Sequence, residues 1–339
     1  MKKLFVTGLV ATGLLMSGAV MAAPKYADVK IPKNIQAIVA YNAGGSSDAL
    51  ARVMLPFWEK KIKELTGKKP NAIVVNLPGA GGEIGWTSLS YAKKDGSTIG
   101  VINLPSVALV EAARGAKYAP WLEKFAPIGV NIIDPNVVRL QKDAKFATLK
   151  DAFEAAKMNP GSVTVGADGP LSDDHMAVYA MAAKYGAEFT FVPYSGGAPA
   201  NKAFQSGEVE IAVGNVFDHL KTVGSAKDVM VLRPSRYTSM DSMKDVETAK
   251  VSIGVGVGDL GSTRGWAAPA GIPADLLKVY REAFAMAVND PEYKKAALKR
   301  NITIVDPLIG DAFGAYMKDQ QALVGELLEL FIKGGYIKK

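Results

Sequence analysis

The chain has 339 residues, a formal net charge of +7 and no cysteine. The lack of cysteine excludes disulfide bonds, thiolate metal ligands and cysteine nucleophiles. The positive charge is spread along the sequence and forms no basic stripe with interleaved aromatic residues, so we do not expect nucleic-acid binding.

Residues 1–22 have the features of a secretory signal peptide. Residues 2–3 are basic, Leu4–Val20 is apolar, and the small residues up to Ala22 fit the cleavage rule, with Ala23 as an alternative end. The segment is short and rich in Gly and Thr for a membrane span, and an uncleaved anchor is the alternative interpretation. No cysteine is present to carry a lipid anchor, so we expect an exported, soluble protein in the periplasm of a double-membraned bacterium.

Strands and helices alternate along the first part of the mature chain. The pattern predicts three pairs: strand Ala37–Tyr41 with helix Asp48–Leu65, strand Ile73–Asn76 with helix Glu83–Lys93, and strand Thr98–Asn103 with helix Ser106–Arg114. Such alternation is typical of parallel sheets with right-handed crossovers. Pro56 lies inside the first helical pattern, and we expect it to kink or shorten that helix.

A long extended segment, Pro127–Leu140, is predicted to cross between two domains. A second alternating series follows it: helix Thr148–Met158, strand Ser162–Gly166, helix Ser172–Tyr185, strand Phe189–Val192, helix Ala198–Gln205 and strand Val209–Val213. Strand Asp228–Leu232 then leads the chain back, so that helix Ala274–Val288 and a final helix near Asp311–Leu330 rejoin the first domain.

The mature chain is too long for one comfortable hydrophobic core, which predicts two domains. We expect a first lobe made of residues 23–130 plus 236–339 and a second lobe made of residues 131–235. The fold class is α/β. In open sheets of this class, ligands bind beside the carboxyl ends of the strands and the helix starts that follow them.

The turn after the first predicted strand is rich in glycine and hydroxyl groups. Gly44 and Gly45 let backbone N–H groups point outward, and the run Ser46-Ser47-Asp48 can cap the first turn of the helix. Free N–H groups and the helix dipole favour an anion at such a place. An ordinary strand-to-helix turn is the alternative on local grounds.

Patterns for catalysis and for metal binding are absent from the sequence. His175 and His219 have no partners at ligand spacing, and neither a Gly-x-Ser-x-Gly elbow nor a Walker loop occurs. The segment Gly256–Gly261 matches Gly-x-Gly-x-x-Gly, but no helical pattern follows it, so a dinucleotide site is not expected. We therefore expect no catalytic residue, no metal and no cofactor. A periplasmic α/β enzyme remains a competing hypothesis that lacks an acid, base and nucleophile set.

Five segments in this order resemble the substrate-binding proteins of tripartite tricarboxylate transporters, the TctC or Bug family. These segments are Ile38–Arg52, Asn76–Gly82, Lys94–Ile99, Phe191–Gly197 and Trp266–Pro273, and the resemblance extends from about Ile31 to about Leu328. It implies a two-lobed periplasmic binding protein of type II topology with a ligand cleft between the lobes.

The resemblance also implies a function. A protein of this family, expected as a monomer, binds a small organic acid and delivers it to a membrane permease of one large and one small integral subunit, driven by an ion gradient. A sensor that passes its liganded form to a receptor kinase would share the binding chemistry and is the alternative.

Ligand contacts in the first lobe are expected at the ends of the strands and in the two glycine-rich loops. The second of these loops also delivers a helix start, although a purely structural turn is the alternative there. The candidate residues are Tyr41, Asn42, Gly44, Gly45, Ser46, Ser47, Asp48, Pro78, Gly79, Ala80, Gly81, Asn103 and Ser106.

In the second lobe, the family usually has a run of small residues, then Ser, two variable residues and His. Ser172 and His175 occupy these places, but Asp168 and Leu171 stand where small residues are commoner. A carboxylate at Asp168 would repel a second ligand carboxylate and accept a hydroxyl or amino group, unless it is a turn residue that faces solvent.

Three further candidates come from later strand ends of the second lobe. The turn that contains Tyr194 and Gly196 presents another helix start to the same cleft, and Asn215 directly follows a strand.

Overall fold

The computed structural model describes residues 23–238, 240–258, 260–333 and 335. The predicted signal peptide, residues 1–22, lies outside the described residues. Within those ranges, the search for a helix long and apolar enough to cross a bilayer finds none.

The strands of the described residues number eleven, and most are short. They are β1 (Asn34–Val39), β2 (Asn71–Asn76), β3 (Thr98–Leu104), β4 (Phe125–Gln141), β5 (Thr164–Asp168), β6 (Thr190–Tyr194), β7 (Ile211–Asn215), β8 (Ala226–Val231), β9 (Glu247–Thr248), β10 (Gly261–Pro269) and β11 (Ile304–Ile309). The long strand β4 contains the predicted extended segment.

Helices connect most of these strands. They are α1 (Ser46–Thr66), α2 (Glu83–Ser90), α3 (Ser106–Arg114), α4 (Trp121–Lys124), α5 (Leu149–Met158), α6 (Asp173–Tyr185), α7 (Gly197–Ser206), α8 (Val216–Thr222), α9 (Ala249–Ser252), α10 (Ala274–Val288), α11 (Pro291–Leu298) and α12 (Asp311–Lys333). The predicted capping box at the start of α5 is confirmed, because Thr148 accepts a bond from the Asp151 N–H and the Asp151 carboxylate accepts one from the Thr148 N–H.

The strands form two groups that share β4. The first group has the order β2-β1-β3-β10-β4-β11, and the second has the order β6-β5-β7-β4-β8-β9. In each group three parallel strands are followed by one antiparallel strand, which is β10 in the first group and the second half of β4 in the second. This is a two-lobed α/β fold of type II topology, as expected from the sequence.

Pro56 does not shorten α1, which runs for 21 residues through it. The apolar face of α1 packs on α10, where the Trp58 ring lies 4.7 Å from that of Tyr280 and its indole N–H donates to the Tyr280 carbonyl oxygen at 3.1 Å. This burial offsets the backbone hydrogen bond that proline cannot donate.

Helix α12 contacts both groups of strands, because it packs on α3 of the first and on α6 of the second. Its buried side chain Phe331 lies with its ring 5.3 Å from that of His175 in α6. The carboxyl ends of β1, β3, β5 and β7 meet in the cleft between the two groups.

Candidate functional site

A polar cavity lies in the cleft, where four helices begin. Residues from the starts of α1, α6, α7 and α8, together with residues of β10, line it. The space open to the centre of a water molecule is about 30 Å³. A cavity of this size has room for a small polar ligand or a few water molecules.

The first helix start offers backbone donors to this cavity. Gly45 is the N-cap of α1 in an extended conformation, and no side chain caps the helix there. Gly45, Ser46 and Ser47 line the cavity, so the N–H groups of the first turn lie at its wall. The second donor set lies at the start of α7, where Gly196, also without a side-chain cap, precedes cavity-lining Gly197.

The Asp48 carboxylate faces its own loop instead of the cavity. It accepts bonds from the Gly44 N–H at 2.9 Å and the Asn76 amide at 3.1 Å, and it forms an ion pair with Arg52 at 2.9 Å. Burial alone would raise the pKa of Asp48, but these hydrogen bonds outweigh it and hold the pKa below its ordinary value. Asp48 therefore fixes the conformation of the loop.

Acidic side chains form the second-lobe wall of the cavity. Asp168, at the end of β5, Asp173 and Asp174, in the first turn of α6, and Asp218, in α8, all line it. The sequence left open whether Asp168 faces solvent or the cleft. In the structure it lies in the cleft. Burial raises the pKa of Asp168 to about 7 and raises that of Asp174 well above its ordinary range, with further raising contributions from neighbouring carboxylates.

Arg264 of β10 brings a positive charge to the same cavity. Its guanidinium donates to the Asp134 carboxylate at 2.9 Å and to the Asn215 side-chain oxygen at 2.6 Å, and its exposed fraction is 3%. Burial raises the pKa of Asp134 to about 6 although Arg264 acts in the opposite direction. The ion pair holds Asn215, another lining residue, in place.

Polar contacts cross the cleft between the two groups of strands. The Asn42 amide donates to the Ser195 backbone oxygen and, at 3.2 Å, to its hydroxyl oxygen. The Lys221 ammonium donates to the Gly44 carbonyl oxygen at 2.8 Å. The Ser106 hydroxyl oxygen accepts a bond from the Asp173 N–H at 3.1 Å, so α3 and α6 are also joined.

A second, more open cavity of about 310 Å³ adjoins the first. Tyr41 and Asp168 line both cavities, and the second glycine-rich loop forms one wall of the outer one. The predicted residues found in this outer wall are Pro78, Gly79, Ala80, Gly81 and Tyr194.

The structure brings together about half of the predicted residues in the inner cavity. These are Tyr41, Asn42, Gly45, Ser46, Ser47, Asn103, Asp168, Gly196 and Asn215. Gly44, Asp48, Ser106, Ser172 and His175 line neither cavity.

Ser172 and His175 support the start of α6 instead of the cavity. The Ser172 hydroxyl oxygen accepts the His175 N–H at 3.0 Å, and the His175 Nδ1 accepts the Leu171 N–H at 3.0 Å. The imidazole stacks on Phe191 with ring centres 4.1 Å apart, and its burial lowers the pKa of His175 to about 3. A neutral, fully buried imidazole fixes a turn in which Leu171 has a positive φ of 67°.

Sequence reasoning missed several residues that line the inner cavity, which are Asp173, Asp174, Gly197, Ala198, Asp218, Ser262 and Arg264. Asp173 and Asp174 follow Ser172 directly, so their place in the first helical turn was the available signal. No signal in the sequence pointed to Arg264 or Ser262, because the sequence did not predict β10.

Comparison with known proteins agrees with this geometry. The family model described as "Tripartite tricarboxylate transporter family receptor" matches residues 61–329. A Cupriavidus necator relative, the UPF0065 protein in the gbd 5' region, is 25% identical over 301 residues, covering 86% of each chain.

Solved structures with the same fold include periplasmic binding proteins. That of BugD has a TM-score of 0.77 at 22% identity and covers 91% of this chain and all of its own. MatC from Rhodopseudomonas palustris with bound malate has a TM-score of 0.75 at 20% identity, covering 87% of this chain and 98% of its own. Another R. palustris protein, with adipate, has a TM-score of 0.75 at 19% identity, covering 88% and 96%.

The fold and the polar cleft define a solute-binding protein of the periplasmic binding protein class. The chain belongs to the tripartite tricarboxylate transporter receptor family, TctC, as the resemblance of its five segments indicated.

Proposed function

We propose that this chain is an exported receptor that captures a small organic carboxylate in the inner cavity and delivers it unchanged to a tripartite permease. The observation that carries the proposal is the pair of helix starts, α1 and α7, that face one cavity without a side-chain cap. Their N–H groups and dipoles suit a carboxylate oxygen, with no requirement for an arginine.

The ligands of the similar structures support this class of ligand. MatC holds malate and the second R. palustris protein holds adipate, both of them small carboxylates. The ligand site proposed here is the cleft beside the strand ends, which is where open α/β sheets favour ligands.

Closure of the lobes supplies the mechanism of delivery. We take the first lobe as residues 23–130 plus 236–339 and the second as 131–235, with α1 on one side of the ligand and α7 on the other. A ligand that contacts both sides stabilises the closed form, in which Asn42 meets Ser195 across the cleft. The closed surface is then what the permease recognises.

Calorimetric titration and thermal shift of residues 23–339 test the proposal. A panel of mono-, di- and tricarboxylates and aromatic acids is titrated, and we expect at least one to bind one-to-one and to raise the melting temperature by mass action. The bound compound should be recovered unchanged. If every acid of the panel fails to bind, the carboxylate receptor is wrong, and if a bound acid is converted, the protein is an enzyme.

Substitution at the start of α1 locates the site. Ser46→Ala removes a hydroxyl at the cavity wall and should weaken binding of the acid found in the panel about ten- to a hundredfold, as expected for one hydrogen bond to a charged group. Ser162→Ala, an exposed serine at the other end of β5, is the matched control and should leave affinity unchanged. Equal affinities of the two variants would move the anion site away from α1.

The proposed location is the periplasm, and the proposed partner is the permease. After loss of residues 1–22 the receptor resides in the periplasm as a monomer and docks on one large and one small integral subunit. Deletion of the gene should abolish uptake of the bound acid, and a plasmid copy should restore it. Intact uptake together with loss of a transcriptional response to the acid would instead identify a sensor.

A further inference from the structure

The inner cavity has an unusual distribution of charge for a site that binds a simple acid. Four carboxylates line it, from Asp168, Asp173, Asp174 and Asp218, against the one guanidinium of Arg264. Two of them open α6, where the helix dipole favours negative charge, yet their side chains still border the space that a ligand would fill.

These four carboxylates are held by neutral groups only. The Asn136 amide donates to Asp174 at 2.7 Å and to Asp173 at 3.2 Å, and the Asn201 amide donates to Asp218 at 2.7 Å. Over the ranges that the structure describes, no lysine or arginine nitrogen lies within 4.0 Å of any of the four. The charged forms of these groups therefore lack a direct ionic partner.

The cations nearest to this wall are engaged in other bonds, although the Arg264 Nε and the Arg139 Nε and Nη2 have no hydrogen-bond partner. Arg264 gives its two terminal nitrogens to Asp134 and Asn215, so its charge is matched by a fifth carboxylate. Arg139, buried behind the wall, donates to the Asn201 oxygen at 2.9 Å and to Thr222 at 2.7 Å. Neither guanidinium forms an ion pair with the four cavity carboxylates.

Asn103 and Ser262, which line the same space, each carry an unsatisfied polar atom, as does Arg264 at its Nε. The Asn103 side-chain oxygen and the Ser262 hydroxyl are buried and have no hydrogen-bond partner, while their residues are 4% and 1% exposed and line the cavity. Buried polar atoms are costly when unpaired, so these atoms favour a hydrogen-bonding partner in the cavity. The Asn103 oxygen can only accept, and it needs a donor from that ligand.

A ligand with several N–H donors and a positive charge satisfies both observations. We propose that the solute carries a cationic nitrogen, a primary ammonium held by the Asp168, Asp173, Asp174 and Asp218 wall, and a carboxylate at the α1 start. The solute is then a small zwitterionic amino acid or amino carboxylic acid instead of a simple dicarboxylate. This inference rests on the proposed function, because the carboxylate end is the one assigned there.

An organic cation fits better than a metal ion. Among the described residues, the acidic and histidine side chains form no group of three or more that could hold a metal. A single metal ion would therefore reach at most two of the four carboxylates. An ammonium with three N–H donors on a carbon chain can reach several oxygens that do not converge on one point.

The protonation of the wall agrees with this inference. The pKa of Asp168 is raised to about 7, chiefly by burial with smaller contributions from Asp173 and Asp218, while the Gly169 N–H and Arg264 act in the opposite direction. An ammonium placed among these groups favours their charged forms and lowers their pKa values. Binding of an amine-bearing acid at neutral pH should therefore release protons, whereas a simple acid should not.

Calorimetry with matched pairs of acids on residues 23–339 tests the inference. The pairs are β-alanine with propionate, 4-aminobutyrate with butyrate, and aspartate with succinate, and the members of each pair differ by one amino group. We expect the amine-bearing member of at least one pair to bind about tenfold or more tightly and to release protons, measured in buffers of different ionisation heat. If the simple acids bind equally well or better, this inference is overturned and the carboxylate receptor stands. If no member of any pair binds and the wider acid panel fails as well, both are overturned.

One variant and its matched control test whether the ammonium binds at the acidic wall. Asp168→Asn keeps the size of the side chain but removes its charge, and the preference for the amine-bearing acid should fall about tenfold while the simple acid binds as well as before or better. Asp143→Asn, exposed on the turn after β4, is the matched control and should keep the wild-type preference. Thermal unfolding of each variant checks that it folds. An unchanged preference in a folded Asp168→Asn protein overturns the assignment.

Discussion

One side chain, Asp48, determines the shape of the loop from which α1 starts. Its carboxylate holds the Gly44 N–H, the Asn76 amide and Arg52 at once, and its exposed fraction is 4%. Gly44 has a φ of 87°, a conformation that suits glycine, so the loop is shaped jointly by the glycine backbone and this carboxylate. We therefore expect Asp48 to act on the cavity only through the shape of this loop.

Replacement of Asp48 should reveal itself in the pH dependence of stability. Asp48→Ala should lower the free energy of unfolding by about 1–3 kcal/mol at neutral pH, because buried donors lose a charged acceptor. The folded-state pKa of Asp48 lies below 3.8, so its contribution is present above that value and is lost as the pH falls through the folded-state pKa. Urea denaturation over about pH 3–7 should show the difference between variant and wild type shrinking at the acid end.

Asp143→Ala, at an exposed acidic position, is the control for this series and should match the wild type throughout. A difference for Asp48→Ala that persists undiminished at the lowest pH would mean that packing, and not the charged hydrogen bonds, accounts for the loss.

At the residue scale, the sequence predicts which loops border the cavity. It predicts less well which side chains point into it. Turn chemistry identifies the start of α1 and the run from Asp168 to His175, because glycine and capping residues act locally. The direction of a side chain depends on partners far away in sequence. Asp48 turns to Asn76, and His175 stacks on Phe191, and neither partner is marked in the sequence as such.

At the scale of elements, α2 packs very closely against the end of β1. A Cβ built on Gly85 of α2 would lie 2.7 Å from the Ala40 Cα and 2.8 Å from the Ala40 Cβ. The helix can lie this close to the end of β1 only because residue 85 has no side chain. The same approach positions the second glycine-rich loop, which leads into α2.

Two identical substitutions in helices should therefore have opposite effects on stability. Gly85→Ala should lower the free energy of unfolding by about 1–3 kcal/mol, since the added methyl group overlaps backbone that cannot move freely. Gly325→Ala, in α12 with nothing within 4 Å of the added Cβ, should raise it by about 0.5–1 kcal/mol through helix propensity. Chemical denaturation of both variants measures the two changes, and a stabilised Gly85→Ala protein would disprove the tight contact.

Elements with their own periodicity were predictable, and elements defined by their neighbours were not. The alternation of strands and helices up to β7 follows from local patterns, and so does the long strand β4. Strand β10 was missed because it begins with glycine and contains a buried arginine, Arg264. Its conformation depends on insertion between β3 and β4, and a Cβ at Gly265 would lie 2.0 Å from the Phe313 ring of α12.

At the scale of the whole molecule, the closed cleft depends on a few polar contacts between the lobes. Lys221 of α8 reaches the Gly44 carbonyl oxygen, and Asn42 reaches Ser195, but none of these bonds involves an acidic residue of the cavity wall. Lys221 and Gly44 line neither cavity, so we expect their contact to stabilise the closed form without touching the ligand, whereas Asn42 also lines the inner cavity. We therefore expect the affinity for the ligand to depend partly on Lys221, which lies outside the cavities, because ligand binding and closure are coupled.

Removal of the Lys221 contact should make the ligand leave faster. Lys221→Met keeps the length of the side chain but removes its donor, so the closed form loses one hydrogen bond and affinity should fall about three- to tenfold. The change should lie mostly in the dissociation rate, since closure follows encounter. Stopped-flow fluorescence of the four tryptophans measures both rates, and small-angle scattering reports the closed fraction with ligand bound.

Lys227→Met is the matched control, because Lys227 makes the same kind of bond, to the Ala144 carbonyl oxygen at 2.6 Å, within the second lobe. If both variants release ligand at the wild-type rate, the Lys221 bridge does not hold the cleft closed, and if both release it faster, the effect comes from lost charge and not from the contact across the cleft.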